Sequence, residues 1–442
     1  MRLARPIAAA FLLAALPSGG TLAQALVPSV LEGHGGPVMA IDVLPDGEEV
    51  LSGSFDNSVG LWDLSNGAVR WLEGHEAAVK AILALGPGRA ASGGDDFAVH
   101  LWDTHAGRSL ARLEGHKGQV AALAVSPAGD LLASAGWDGW VGLWSLPEGA
   151  HLGFLKGHRA QVTDVTFSPD GAYLYSASAD GTIRLWSVVT RSEERVIVNH
   201  GFGVTRLRLG PGAEWLAYGA VDGGTRVVRL SDGAELADLT LDRRPILALA
   251  LSDDATRLAV GDGEGHVMMV DTADWSILQD IRVAERGPVW ALDFLPGHDG
   301  FYAGGMDDAL YHWPEDGGGL GPRMGLEARE FHKAAGSMGN GERQFRRKCA
   351  ICHTLGPDSA RRAGPTLYRL FGRRAGSVPG YGYSAALDGS PIVWSEDTID
   401  RLFDLGPDHY VPGTKMPMQR ITRAEDRRDL IEFLRENTNG TN

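Results

Sequence analysis

Ser52-Gly53-Ser54-Phe55-Asp56-Asn57-Ser58-Val59-Gly60-Leu61-Trp62-Asp63, with Gly33-His34 upstream, is one unit of a repeat. The order returns at Gly74-His75, Ser92, Asp96 and Trp102-Asp103, at Gly115-His116, Ser134, Asp138 and Trp144, and at Gly157-His158, Ser176, Asp180 and Trp186. The histidines fall 41, 41 and 42 residues apart, and His200, with Asp222, continues at 42. Self-similarity at such a period marks a supersecondary unit that cannot bury its apolar face alone, so neighbours stack. The turn aspartate precedes an apolar strand that ends in tryptophan. A carboxylate buried there needs donors, which a Ser hydroxyl, an imidazole N–H and an indole N–H supply. The repeat histidines therefore read as structural first, with metal ligation the outside alternative. The glycines serve turns that need positive φ.

Later units drift. The fifth has Arg229 where tryptophan is expected; the sixth has Arg243-Arg244-Pro245, then Asp262 and Val270; the seventh has Arg286-Gly287-Pro288, Asp307 and His312-Trp313. The apolar rhythm survives, as in Ile246 to Leu251, so seven units are counted. The drift reads as tolerance of packing, with a partner surface on blades five to seven as the alternative. After Trp313 the chain runs to Pro314 and Gly317-Gly318-Gly319, whereas apolar Ala25 to Leu31 precedes the first unit with nothing before it to pair with. That segment should supply the outer strand of the last blade and remove an exposed edge. Over about residues 26–316 the pattern resembles the WD-repeat family of β-propellers. The resemblance implies four antiparallel strands per blade around a channel, with His, Ser, Asp and Trp of one blade in a buried hydrogen-bonded chain.

Cys349-Ala350-Ile351-Cys352-His353 holds the only two cysteines. Cys-x-x-Cys-His is the attachment signature of a c-type haem. At a helix end, positions i and i+3 share a face, so both thiols reach one porphyrin, and His353 falls where it can bind the iron. A structural zinc site wants four ligands and no second cysteine pair exists. A thioredoxin-like pair would want a βαβ setting, and a disulfide leaves His353 unexplained.

Around this motif lie Gly364-Pro365-Thr366-Leu367, a Gly-rich run from Phe371 to Ser384, Trp394-Ser395-Glu396, Pro412-Gly413-Thr414-Lys415-Met416-Pro417, and the capping box Thr422-Arg423-Ala424-Glu425. Over residues 338–437 this order is similar to class I cytochromes c, especially the mitochondrial type. The resemblance implies a small all-helical fold around one covalent haem. It implies that Cys349 and Cys352 hold the porphyrin, that His353 and Met416 are the axial ligands, and that the Pro365 carbonyl accepts the His353 N–H. Arg373, Tyr383 and Trp394 match positions that hold the haem propionates. Met418 is a nearby alternative to Met416. Leu402 and Phe403 stand where the mitochondrial proteins carry a tyrosine, and Lys333, Lys348 and Lys415 are the only lysines after residue 325.

The whole chain is thus read as a multidomain protein, an all-β seven-bladed propeller followed by an all-α class I cytochrome c domain. The segments are a signal peptide (1–23), the propeller (25–316), a Gly-rich linker (317–337), with a short helix from Glu327 to Ala335, and the haem domain (338–442). Arg2 and Arg5 precede an apolar run, Ile7 to Leu16, that is too short to span a bilayer, and small residues follow. This predicts export to the periplasm with no membrane span after cleavage. The net charge of −15 argues against nucleic acid. Residues 326–442 hold 18 of the 41 basic and 15 of the 56 acidic side chains, so the excess acid lies in the propeller.

The expected function is single-electron transfer through one His/Met-ligated haem c, with no catalytic residues. The propeller and the haem edge would dock redox partner proteins. The alternative is a periplasmic oxidoreductase whose propeller holds a second cofactor, for which His266, Met268, Met269, His298 and His312 are the off-pattern candidates.

Overall fold

The computed structural model describes residues 29–314 and 338–438, apart from 147, 242–244, 285–286, 358–361 and 418. The signal segment, the linker with its expected helix, and Met418 lie outside these residues, as does the His298 side chain.

Among the described residues twenty-eight strands, β1 to β28 in chain order, form seven four-stranded antiparallel sheets. The first blade is β2 (Val38–Val43), β3 (Glu49–Ser54), β4 (Val59–Asp63) and β5 (Val69–Leu72). Blades two to six repeat that order. The seventh takes β26 (Val289–Phe294), β27 (Phe301–Gly305) and β28 (Ala309–Trp313) from the end of the propeller and β1 (Val30–Glu32) from its start. Val30, Leu31 and Glu32 pair with Tyr311, Leu310 and Ala309, which closes the ring as expected and leaves β28 with no free edge.

The core lies between blades, not within them. Seven apolar clusters each join one blade to the next. Trp102 belongs to the cluster with Leu51 and Val59 of the preceding blade, and Trp144 to the one with Val99 and Leu101. No blade buries its faces alone, which is the physical content of the repeat. Buried carboxylates add polar ties: Asp293 accepts the Val43 amide at 2.8 Å and Asp164 the Leu207 amide at 2.9 Å, each reaching the next blade.

The His–Ser–Asp–Trp chain is present in blades one to four. In the third, His116 Nδ1 lies 2.9 Å from Asp138 Oδ2 and its Nε2 2.8 Å from Ser134 Oγ, which also accepts the Trp144 indole N–H at 2.8 Å. Blades one, two and four repeat this with His34, His75 and His158. Burial works to raise the Asp56 carboxyl, but hydrogen bonds from His34, Ser58 and the Gly35 amide outweigh it and hold it below its ordinary value. Asp138 and Asp180 are held low in the same way, and Asp96 by the imidazoles of His100 and His75 beside it.

Register corrects the reading of the drifted units. Trp62 opposes Val50 across its blade, and the residue opposing Leu216 in the fifth is Val228; Arg229 opposes Trp215 one step further on. In that blade Tyr218 replaces the serine, with its hydroxyl 3.3 Å from His200 Nδ1, while His200 Nε2 meets Asp222 at 3.1 Å. In the sixth, Gly261 opposes Ala248 as Gly53 opposes Ala40, so Glu264, not Asp262, holds the turn-aspartate position. Asp262 instead accepts the Glu264 and His266 amides, each at 2.9 Å.

Two outcomes follow. Ser134→Ala leaves the Trp144 and His116 ring nitrogens buried without their partner, so urea unfolding of the propeller should show a loss of about 1–3 kcal/mol; an unchanged midpoint would contradict the chain's role. The pH dependence has a definite sign. Carboxylates held low in the fold contribute stability that is complete above their ordinary value, about 4, and is lost as pH falls from there through their lower folded values. Buried Asp293, pushed up to about 6 by burial, acts oppositely, and His75 and His158, lowered by burial, lose stability below about 6.5. These oppose one another between about 4 and 6.5, so thermal scans should show the steep, unopposed loss only below about pH 4.

Candidate functional site

The C-terminal helices are α1 (Asn340–Lys348), α2 (Glu396–Leu405), α3 (Pro407–Tyr410) and α4 (Ala424–Thr438). α1 crosses α4 where Gly341 lies against the Asp429 carbonyl with no room for a Cβ, and the Phe345 and Phe433 rings pack 5.4 Å apart. Asn340 donates to Asp426 at 2.8 Å and to Asp429 at 2.6 Å, fixing the same crossing. α2 opens on a capping box between Ser395 and Thr398.

α1 ends at Cys349, whose amide donates to the Phe345 carbonyl at 2.7 Å. The Cys352 and His353 amides both turn back to the Cys349 carbonyl, at 3.0 and 2.9 Å. That turn gathers both thiols and the imidazole at the end of one helix. Both cysteines are buried and free. Burial pushes Cys349 up to about 12 and Cys352 up to about 11, so both thiols are protonated.

His353 Nδ1 lies 2.7 Å from the Pro365 carbonyl. A carbonyl only accepts, so Nδ1 carries the proton and Nε2 is left as the ligating nitrogen. Gly364 allows this approach, because a Cβ there would collide with the His353 ring. Burial lowers the imidazole's proton affinity, which favours the neutral, ligating form.

These groups line a cavity of about 840 Å³. Cys349, Cys352, His353 and Pro365 reach it, and Met416 reaches it from the loop before α4. Arg373, Tyr383 and Trp394 line it too. Arg373 donates to the Thr366 and Tyr368 carbonyls, at 2.7 and 2.6 Å, and the Arg373 and Trp394 backbones pair. All eight residues singled out from the sequence are therefore brought around one space. Leu402 and Phe403, where a tyrosine is expected by resemblance, present apolar carbons to it.

A paired soft thiol set, a neutral imidazole and a thioether on one apolar cavity fit a covalently held haem. That group supplies one-electron transfer at its iron.

The sequence did not point to Tyr381, which lines the same cavity and donates to the Ala363 carbonyl. Nor did it point to the other wall. Phe55, Asn57, Glu76, Asp95, Phe97 and Gln119 of the propeller's first three blades line the cavity as well, and Lys415 lies 3.9 Å from Glu76. Among the described residues, the off-pattern propeller candidates do not converge. Met268 and Met269 pack into two different inter-blade cores, His266 lies 3.9 Å from Asp262, and His312 Nε2 meets the Asp299 carbonyl at 2.8 Å.

Comparison with known proteins agrees with this geometry. The family model described as cytochrome c matches residues 339–438. Cytochrome c of Sesamum indicum is 43% identical over 104 residues, 23% of this chain and 92% of the relative. The chain belongs to the cytochrome c family. Cytochromes c of Nigella damascena (42% over 105 residues, 24% of this chain and 93% of the relative) and Gibberella zeae (40% over 105, 24% and 98%) match the same cytochrome c domain. The family model described as WD domain, G-beta repeat matches residues 27–63, 107–145 and 149–187, so the propeller is built of WD repeats. A cytochrome c domain implies a covalently bound haem c.

Gly364→Ala should displace His353 from Pro365. Haem yield per chain and the unfolding midpoint of the cytochrome c domain should both fall; if neither moves, the close approach is not needed.

Proposed function

We propose that this protein is a periplasmic cytochrome that carries single electrons through one haem c with His353 and Met416 as axial ligands, its thioether bonds made by Cys349 and Cys352, while the propeller docks redox partner proteins. The observation that carries the reading is the His353–Pro365 contact, which aims a neutral imidazole nitrogen into a cavity that Met416 shares. With both axial positions filled by protein, exchange of electrons suits the site better than oxygen binding or hydrolysis. Two cysteines in one Cys-x-x-Cys-His support a single haem. Arg373, Tyr383 and Trp394 line the cavity and carry polar donors of the kind that meets propionates. The apolar run from Ile7 to Leu16 with flanking arginines supports export, and no helix of the described residues is long and apolar enough to cross a membrane.

The arrangement gives electron exchange a polarity. A thioether favours ferrous over ferric iron and raises the potential. The propeller rim at the cavity wall makes the docking surface a composite of both domains.

Protein matured with haem-attachment machinery should give one haem c per chain in a pyridine haemochrome assay; none, or two, would overturn the reading. Met416→Ala should keep the covalent haem, lose the sulfur–iron charge-transfer band of the ferric form, and show a lower potential. If that band persists, another residue is the ligand.

A further inference from the structure

The second blade departs from its neighbours at one buried position. The residue opposite the chain serine is Gly60 in the first blade, His100 in the second and Gly142 in the third. In blades one and three the glycine leaves room for an aromatic ring from the outer strand: Trp71 opposes Gly60 and packs 4.8 Å from His34, and Phe154 opposes Gly142 and packs 5.0 Å from His116. The second blade has neither half of that pair. His100 takes the glycine's place and Arg112 opposes it.

His100 is 3% exposed, and neither ring nitrogen has a hydrogen-bond partner. Its ring stacks on Trp102 at 5.3 Å and faces His75 at 4.2 Å. Its Nε2 stands 3.7 Å from Asp96 Oδ2, beyond hydrogen-bond distance, while His75 Nδ1 is 2.9 Å from the same oxygen. One ligand atom from each of His75, Asp96 and His100 lies within 4.8 Å of the others. The fourth blade shows how the same position is satisfied without a metal: Arg184 sits there, donating to Glu193 at 2.6 Å and lying 3.6 Å from Asp180. His100 has no such second acceptor. A buried imidazole with both nitrogens unmet is costly, and a cation between two imidazoles and a carboxylate meets one of the two.

We propose that His75, Asp96 and His100 form a binding site for a divalent transition-metal ion of the zinc class, separate from the haem iron. Imidazole and carboxylate donors suit that class. His75 Nε2 is held by Ser92 Oγ at 2.6 Å, a contact that orients the ring behind the ligating Nδ1. The ion takes the place of the proton shared by His75 Nδ1 and Asp96, so binding releases a proton to solvent. Three protein ligands leave a position open. Asp96 also lines the cavity between the domains, which gives the ion its way in.

The test is zinc titration of the chelator-treated, haem-loaded full chain by calorimetry in buffers of different ionisation heat. Wild type should bind one Zn2+ beyond its haem iron and release a proton on binding. His100→Arg puts the fourth blade's residue at this position; its zinc affinity should fall tenfold or more while haem content stays put. His100→Gln, which keeps the size but not the second ring nitrogen, should lose zinc likewise and serves if the arginine variant fails to fold. Equal zinc binding by wild type and either folded variant, or no binding by wild type, overturns the proposal.

Discussion

A carboxylate placed between strands must be met by donors or it unfolds its surroundings. That constraint organises the propeller. Each turn aspartate in the first four blades fixes a histidine, which fixes a serine, which fixes a tryptophan, and the tryptophan is the residue that packs onto the preceding blade. The polar chain within a blade thus aims the apolar contact between blades. Because every blade depends on a neighbour, the ring needs closure, and the three-residue pairing of β1 with β28 supplies it.

The cytochrome c domain solves an analogous problem at one point. A ligating imidazole needs its other nitrogen held, and the Pro365 carbonyl holds it. Everything near that contact is short of space: Gly364 under the ring, the turn from Cys349 to His353, and Gly341 at the helix crossing that carries α1 into the turn.

Most of this was legible in the sequence because the residues involved are chemically specific. Gly-His, Ser, Asp and Trp at one period, and Cys-x-x-Cys-His, have few other uses. The closing strand was legible from an apolar segment that had nothing to pair with. Legibility failed where identity stops being constrained. Blade five lacks the tryptophan and blade six the turn aspartate, so no distinctive residue marks those positions, and register puts Val228 and Glu264 there where the sequence reading takes Arg229 and Asp262. His100 was hidden for a different reason: it sits among the apolar residues of β8 (Val99–Asp103), where a single polar residue looks ordinary until its neighbours are known.

The meeting of the two domains left a trace that only the backbone reveals. In blades one to six the residue after the turn aspartate, or after Glu264, has positive φ, and blades three to six use Gly139, Gly181, Gly223 and Gly265 there. Blades one and two use Asn57 and Phe97, at φ 72° and 64°. Asparagine tolerates that conformation; a phenylalanine pays about 1–2 kcal/mol, and Phe97 is 47% exposed. Both side chains belong to the propeller wall of the haem cavity. An exposed aromatic on a strained turn is not there for the propeller's stability, since glycine serves that better in the four blades that follow. Its contacts lie with the cavity, beside Glu76 and its Lys415 neighbour. Charge distribution agrees: the acidic propeller offers a carboxylate and the cytochrome c domain answers with one of its few lysines. The rim of blades one and two is therefore part of the wall of the cavity that Cys349, Cys352 and His353 line.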